Sequence, residues 1–124
     1  MKQSTFLLIV AALSLIFGGM MFFTPENVAE EFGSTPTVFS SFLLREMGLI
    51  LLCASAMNFM ARKDTSSPAL RAILVFNMAY HLIMIPIVLM AVSNGLFTID
   101  KAIPGLVAHV FIGLGSLIYL IKKG

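Results

Sequence analysis

The chain has 124 residues, of which 59% are hydrophobic and only 11% charged, with a mean hydropathy of +1.00 and a formal net charge of +2. A soluble domain carries roughly 25% charged and about 45–50% apolar residues, and a chain this short cannot hide such an excess of apolar surface in one core. The composition is that of a membrane protein and excludes nucleic-acid binding, a Rossmann nucleotide fold and a disulfide scaffold, the last because Cys53 is the sole cysteine.

Three charge-free apolar runs, Thr5 to Phe23, Ala72 to Ile99 and Ala102 to Ile121, are joined by a fourth from Val38 to Ala61 that is broken by Arg45-Glu46. Roughly 20 helical residues at about 1.5 Å each cross a hydrocarbon core of about 30 Å, where only helices or closed barrels satisfy their backbone. The runs lack the two-residue alternation of barrel strands, so they predict an all-α, polytopic membrane four-helix bundle, antiparallel and forming a single membrane domain over 1–124.

Taken in chain order, the first span is predicted over about 4–23, with Ser4, Ala11, Ser14 and Gly18 recurring on one face. Thr24-Pro25-Glu26 then opens a short helix over about 25–32, closed by Gly33. Its Val28 and Phe32 lie four apart beneath Glu26, Glu30 and Glu31, which predicts an interfacial helix in the first outer loop. Thr35-Pro36 opens the second span, about 36–62, with Gly48, Ser55 and Arg62 on one face. Ser67-Pro68 opens the third, about 68–93, which carries Asn77, Tyr80, His81 and Met84 on one face, Pro86 inside and Asn94-Gly95 as its C-cap. The fourth, about 103–122, is expected to become regular from Pro104 and carries Gly105, His109, Gly113 and Ser116.

Cytoplasmic loops retain Lys and Arg. Lys2, Arg62, Lys63, Arg71, Lys122 and Lys123 fall on one side, whereas Lys101 lies on the other with Glu26, Glu30, Glu31 and Asp100. Both termini are therefore expected in the cytoplasm of a bacterial inner-membrane protein. A cleaved signal peptide over Lys2 to Gly19 is the rival reading, disfavoured by an apolar run too long for one and by the lack of an Ala-x-Ala site.

Polar residues at membrane depth are costly and are either functional or helix glue. Rise counting puts Asn58 about 6 Å and Asn77 about 10 Å from the cytoplasmic ends, which predicts a structural amide pair. His81 at about 16 Å, His109 at about 20 Å and Arg45-Glu46 at about 25 Å form a second layer with Tyr80. Arg45 shares a side with Gly48 and Ser55 and is expected to point inward, while adjacent Glu46 points about 100° away. The guanidinium needs either a protein acceptor or an anionic or carbonyl-bearing ligand.

This layer predicts an outward-facing polar pocket of Arg45, Glu46, Tyr80, His81 and His109 that binds a lipophilic headgroup such as a quinone or lipid. A bis-histidine haem b between His81 and His109 is the weaker cofactor reading, and no metal site is assigned, for want of a close ligand cluster. No HExxH, P-loop, GxSxG or Cys-His nucleophile pattern is present, so no reaction is assigned to the chain. The alternatives are a structural or assembly subunit whose apolar surface meets a membrane-complex partner or a second copy, and a small oligomeric transporter.

The four spans, the acidic first outer loop, Arg45 with Gly48, the stretch Ala54-Ser55-Ala56-Met57-Asn58 and Arg62 together resemble the DoxX-like small four-helix bacterial membrane proteins. That resemblance implies a four-helix bundle and, in a few relatives, a membrane subunit that passes electrons from sulfur compounds to quinone beside a separate redox partner. With Cys53 as its one cysteine, this chain has no internal thiol pair for such chemistry.

Overall fold

The computed structural model describes residues 1–122, and these are all-α, with no strand among them. The helices are α1 (Gln3–Phe23), α2 (Pro25–Glu31), α3 (Val38–Ala61), α4 (Pro68–Ser93) and α5 (Ile99–Lys122). All but α2 are long and apolar enough to cross a membrane. The chain contacts divide into two compact units, one covering Met1–Arg62 with α1, α2 and α3, the other beginning at Lys63 with α4 and α5.

Within the first unit, α1 and α3 pack along the small-residue faces legible in the sequence. Ala11, Ser14 and Gly18 are buried on α1, and Ser41, Gly48 and Ser55 on α3; Ser4, assigned to the same α1 face, is exposed. The Ser55 hydroxyl donates to the Ala11 carbonyl at 2.7 Å. Seven residues further along α1 and seven back along α3, a Cβ added to Gly18 would stand 2.9 Å from the Gly48 carbonyl oxygen, and one added to Gly48 would stand 2.6 Å from the Phe22 backbone nitrogen. The helices approach so closely that backbone fills the space of a side chain.

Local chemistry sets the boundaries, and it moves two of them. Thr35-Pro36 does not open α3: Thr37 does, through a reciprocal cap in which its hydroxyl accepts from the Ser40 backbone N–H at 3.0 Å while its own N–H donates to the Ser40 hydroxyl at 2.9 Å. Two orphan donors are satisfied there, which Thr35 has no partner to do. The last helix begins at Ile99, ahead of the expected 103. Pro104 lacks one N–H, which removes a single bond to residue 100, and Ala102 N–H still reaches the Thr98 carbonyl at 3.3 Å.

Ser67 caps α4 as expected, accepting from the Leu70 N–H at 3.1 Å, and its own hydroxyl donates to the Asp64 carboxylate. Hydrogen bonds from Ser67 and then from the Ser66 N–H hold the Asp64 carboxyl below its ordinary range. Gly33 and Gly95 close α2 and α4 with φ of 80° and 73°, the left-handed conformation that glycine adopts without a Cβ penalty. The α2 helix turns Pro25, Val28 and Ala29 inward and packs on α1 and α3, leaving Glu26, Glu30 and Glu31 exposed.

In the second unit, Leu70, Leu74, Asn77 and His81 are the buried residues of α4, a spacing of four, three and four that keeps them on one helical face. Ala102, Ile112, Gly113 and Ser116 are buried on α5. A Cβ on Gly113 would lie 2.7 Å from Leu82 Cδ2, so this glycine admits the α4 side chain.

Candidate functional site

The second unit brings three of the expected site residues together. His81 lies at the middle of α4 and is buried, and its Nδ1 is 2.8 Å from His109 Nδ1 on α5. The rings are tilted at 47° with centroids 5.0 Å apart. Tyr80 meets His81 edge to face at 5.1 Å and His109 at 6.5 Å, and its other neighbour is Phe76, stacked at 5.8 Å and 16°. The aromatic half follows from sequence spacing, since residues four apart on a helix lie one above the other; Phe76 is a site residue that the sequence reading missed although that spacing announces it.

A direct bond between two imidazole nitrogens fixes the tautomers. One Nδ1 must carry the proton and the other must accept it. In the neutral pair the donor ring is left with a bare Nε2, and the acceptor ring carries Nε2–H. The pair therefore offers one acceptor and one donor beyond its own hydrogen bond. If both rings were doubly protonated, two N–H groups would oppose each other at 2.8 Å and the bond would be lost.

This geometry does not fit the haem reading. The two rings meet directly, Nδ1 to Nδ1 at 2.8 Å, which leaves no gap between them for a macrocycle that both would ligate. Nor does Gly113, one turn from His109, open space for a flat macrocycle, because Leu82 fills its side. Among the described residues, no group of three His, Cys, Asp or Glu side chains is placed to hold a metal ion.

Arg45 and Glu46 belong to the first unit. Arg45, expected to point inward, reaches within the first unit toward α2. Its side chain is 50% exposed, and its Nη2 lies 3.4 Å from Oε1 of Glu26, itself 48% exposed. The physical reason is reach: the long stem lets the guanidinium leave the helix face and meet an acid at the start of α2. Glu46 is exposed as well.

Glu26, Pro36, Thr37, Val38, Ser41 and Arg45 line a cleft of about 300 Å³. Bonding from its own backbone N–H, then from the Ser41 hydroxyl, and the nearby Arg45 charge hold the Glu26 carboxyl below its usual range, so it is ionised at neutral pH. The sequence placed Glu26 among the outer-loop acids of the short helix but did not pair it with Arg45, nor single out Ser41. The signal was available in part, because Ser41 stands four residues before Arg45 on the same face of α3.

The two asparagines expected to pair are both buried, Asn58 on α3 and Asn77 on α4. Asn58 Nδ2 donates to the Ala54 carbonyl in its own helix at 2.8 Å. At the end of α3, the Arg62 guanidinium lies 3.5 Å over the Phe59 ring and donates to the Phe59 carbonyl. Compared with known protein families, with characterised proteins and with solved structures, the chain matches none.

Proposed function

We propose that the chain is an antiparallel four-helix bundle in a bacterial inner membrane, with both termini cytoplasmic, that binds the headgroup of a quinone-class lipophilic molecule beside Tyr80, His81 and His109 and serves as an accessory to a redox partner. The resemblance to DoxX-like proteins gives the ligand its class. The observation that carries the reading is the His81–His109 hydrogen bond set beside the stacked Phe76 and Tyr80 rings halfway along an apolar helix.

The chemistry matches on three counts. A quinone carbonyl accepts from Nε2–H, a quinol hydroxyl donates to a bare Nε2, and the aromatic rings offer flat faces to a planar headgroup. An uncharged ligand of this kind reaches membrane depth through the lipid without the cost of burying charge. Antiparallel packing is supported by contacts that ascend one helix as they descend the other: Ala11 with Ser55 and Gly18 with Gly48, then His81 with His109 and Leu74 with Tyr119 beside one cleft. The Lys and Arg distribution supports the orientation.

The test is to titrate a short-chain benzoquinone into detergent-solubilised protein labelled with ¹⁵N-histidine. Saturable shifts of both His81 and His109 ring nitrogens, abolished by Tyr80→Ala, are expected; unmoved ring signals would refute the assignment. A structural subunit is the second reading, favoured by the mutual satisfaction of His81 with His109 and of Arg45 with Glu26, and by exposed Phe39, Met60 and Met90, which offer apolar surface to a partner.

A further inference from the structure

The cleft at the start of α3 lies in the other unit from the histidine pair and owes nothing to the quinone reading. Its two charged groups are oppositely signed, half exposed and loosely joined. The 3.4 Å contact between Arg45 Nη2 and Glu26 Oε1 is longer than the roughly 2.7–2.9 Å of a strong charge-assisted bond. A guanidinium has five N–H donors and a carboxylate about four acceptor sites, so this single contact leaves most of the Arg45 donors unused, while Glu26, which also accepts from its own backbone N–H and the Ser41 hydroxyl, keeps about one acceptor site. A half-exposed ion pair is worth about 0–1 kcal/mol, so a ligand that engages both ends gives up little by loosening it.

Position narrows the ligand. Glu26 follows directly on the end of α1 at Phe23, and α2 presents its acids outward. Arg45 lies seven residues inside α3, about 10 Å along its axis, and extends its side chain back to the level of Glu26. Both charges thus sit where an apolar span gives way to polar surface, the depth of phospholipid headgroups. Val38, 92% exposed and lining the cleft, and the neighbouring exposed Phe39 and Phe42 put apolar surface beside it for acyl chains.

From this geometry we infer that the cleft is a binding site for a zwitterionic phospholipid headgroup carrying a phosphate and a primary ammonium, with the phosphate on Arg45 and the ammonium on Glu26. The planar fork of Arg45 suits a phosphate oxygen pair. The Glu26 carboxylate, kept ionised by its backbone and Ser41 hydrogen bonds, accepts from the ammonium N–H groups. A net-neutral cleft matches a net-neutral headgroup. An anionic glycerol headgroup would satisfy Arg45 and leave Glu26 facing negative charge, and a choline headgroup has no N–H to offer the remaining acceptor site of Glu26.

Native mass spectrometry of the full chain with an equimolar mixture of phosphatidylethanolamine, phosphatidylcholine and phosphatidylglycerol of identical acyl chains tests the assignment. Wild type should retain phosphatidylethanolamine several-fold over either competitor. Glu26→Gln should erase that preference while some lipid remains bound, and Arg45→Gln should lower retention of all three. Should Arg45→Gln fail to fold, Arg45→Lys should show a reduced and less selective retention. Equal or greater retention of phosphatidylglycerol by wild type, or unchanged selectivity in Glu26→Gln, overturns the proposal; so does displacement of the bound lipid by millimolar inorganic phosphate, which would make the cleft a plain anion site. A quinone titration that fails at the histidines leaves these lipid ratios unaffected, so the two readings stand or fall separately.

Discussion

At the scale of single residues, the decisive hydrogen-bond partners lie far apart in sequence. The shared depth of His81 and His109 follows from counting rise along two spans, but the 2.8 Å contact depends on the rotation of α4 against α5, which no single-sequence periodicity supplies. Selective ¹⁵N labelling of the histidines should therefore find one ring in the Nδ1–H and the other in the Nε2–H tautomer. Two Nε2–H rings would contradict the direct bond. Arg45 was legible as a charge needing an acceptor, whereas its acceptor, Glu26, is nineteen residues away on a helix whose placement the sequence does not encode locally. Ser55 is simpler. Its bond to the Ala11 carbonyl is buried, so Ser55→Ala should lower stability in detergent by about 0.5–1.5 kcal/mol, as read from thermal or denaturant unfolding.

At the scale of elements, glycines in one helix separate close packing from mere permissiveness. Gly18 and Gly19 are neighbours in α1, yet a Cβ at Gly18 would meet α3 backbone at 2.9 Å and one at Gly19 would meet nothing within 4 Å. Gly18→Ala should therefore destabilise by about 1–3 kcal/mol through overpacking against atoms that cannot rotate away. Gly19→Ala should be neutral or gain up to about 1 kcal/mol from helix propensity. Equal effects at both positions would mean that α1 and α3 do not touch along this face. The small-residue faces were legible because period 3.6 aligns Ala11, Ser14 and Gly18, and again Gly48 and Ser55. Helix starts were less so: Thr35-Pro36 carries a good opening signal, but Thr37 with Ser40 satisfies two donors reciprocally, and the stronger cap wins.

For the molecule as a whole, the four long apolar helices make a bilayer the natural solvent, and exposed side chains such as Phe39, Met60, Met90 and Ile121 are unremarkable if they face lipid. The distribution of Lys and Arg supports the proposed orientation. In a Cys53→Ala background, Ser34→Cys, exposed after α2, should react with an impermeant maleimide in intact cells, and a reporter fused to the C-terminus should be active in the cytoplasm. Labelling of Ser34→Cys only after permeabilisation would invert the proposed topology. The most direct test of the central claim is mass spectrometry of the organic extract of protein purified in mild detergent, comparing wild type with His81→Phe at matched folded content. A stoichiometric quinone is expected in the wild-type extract and lost from His81→Phe; a wild-type extract free of quinone, or the same quinone content in both, would contradict quinone binding at the histidine pair.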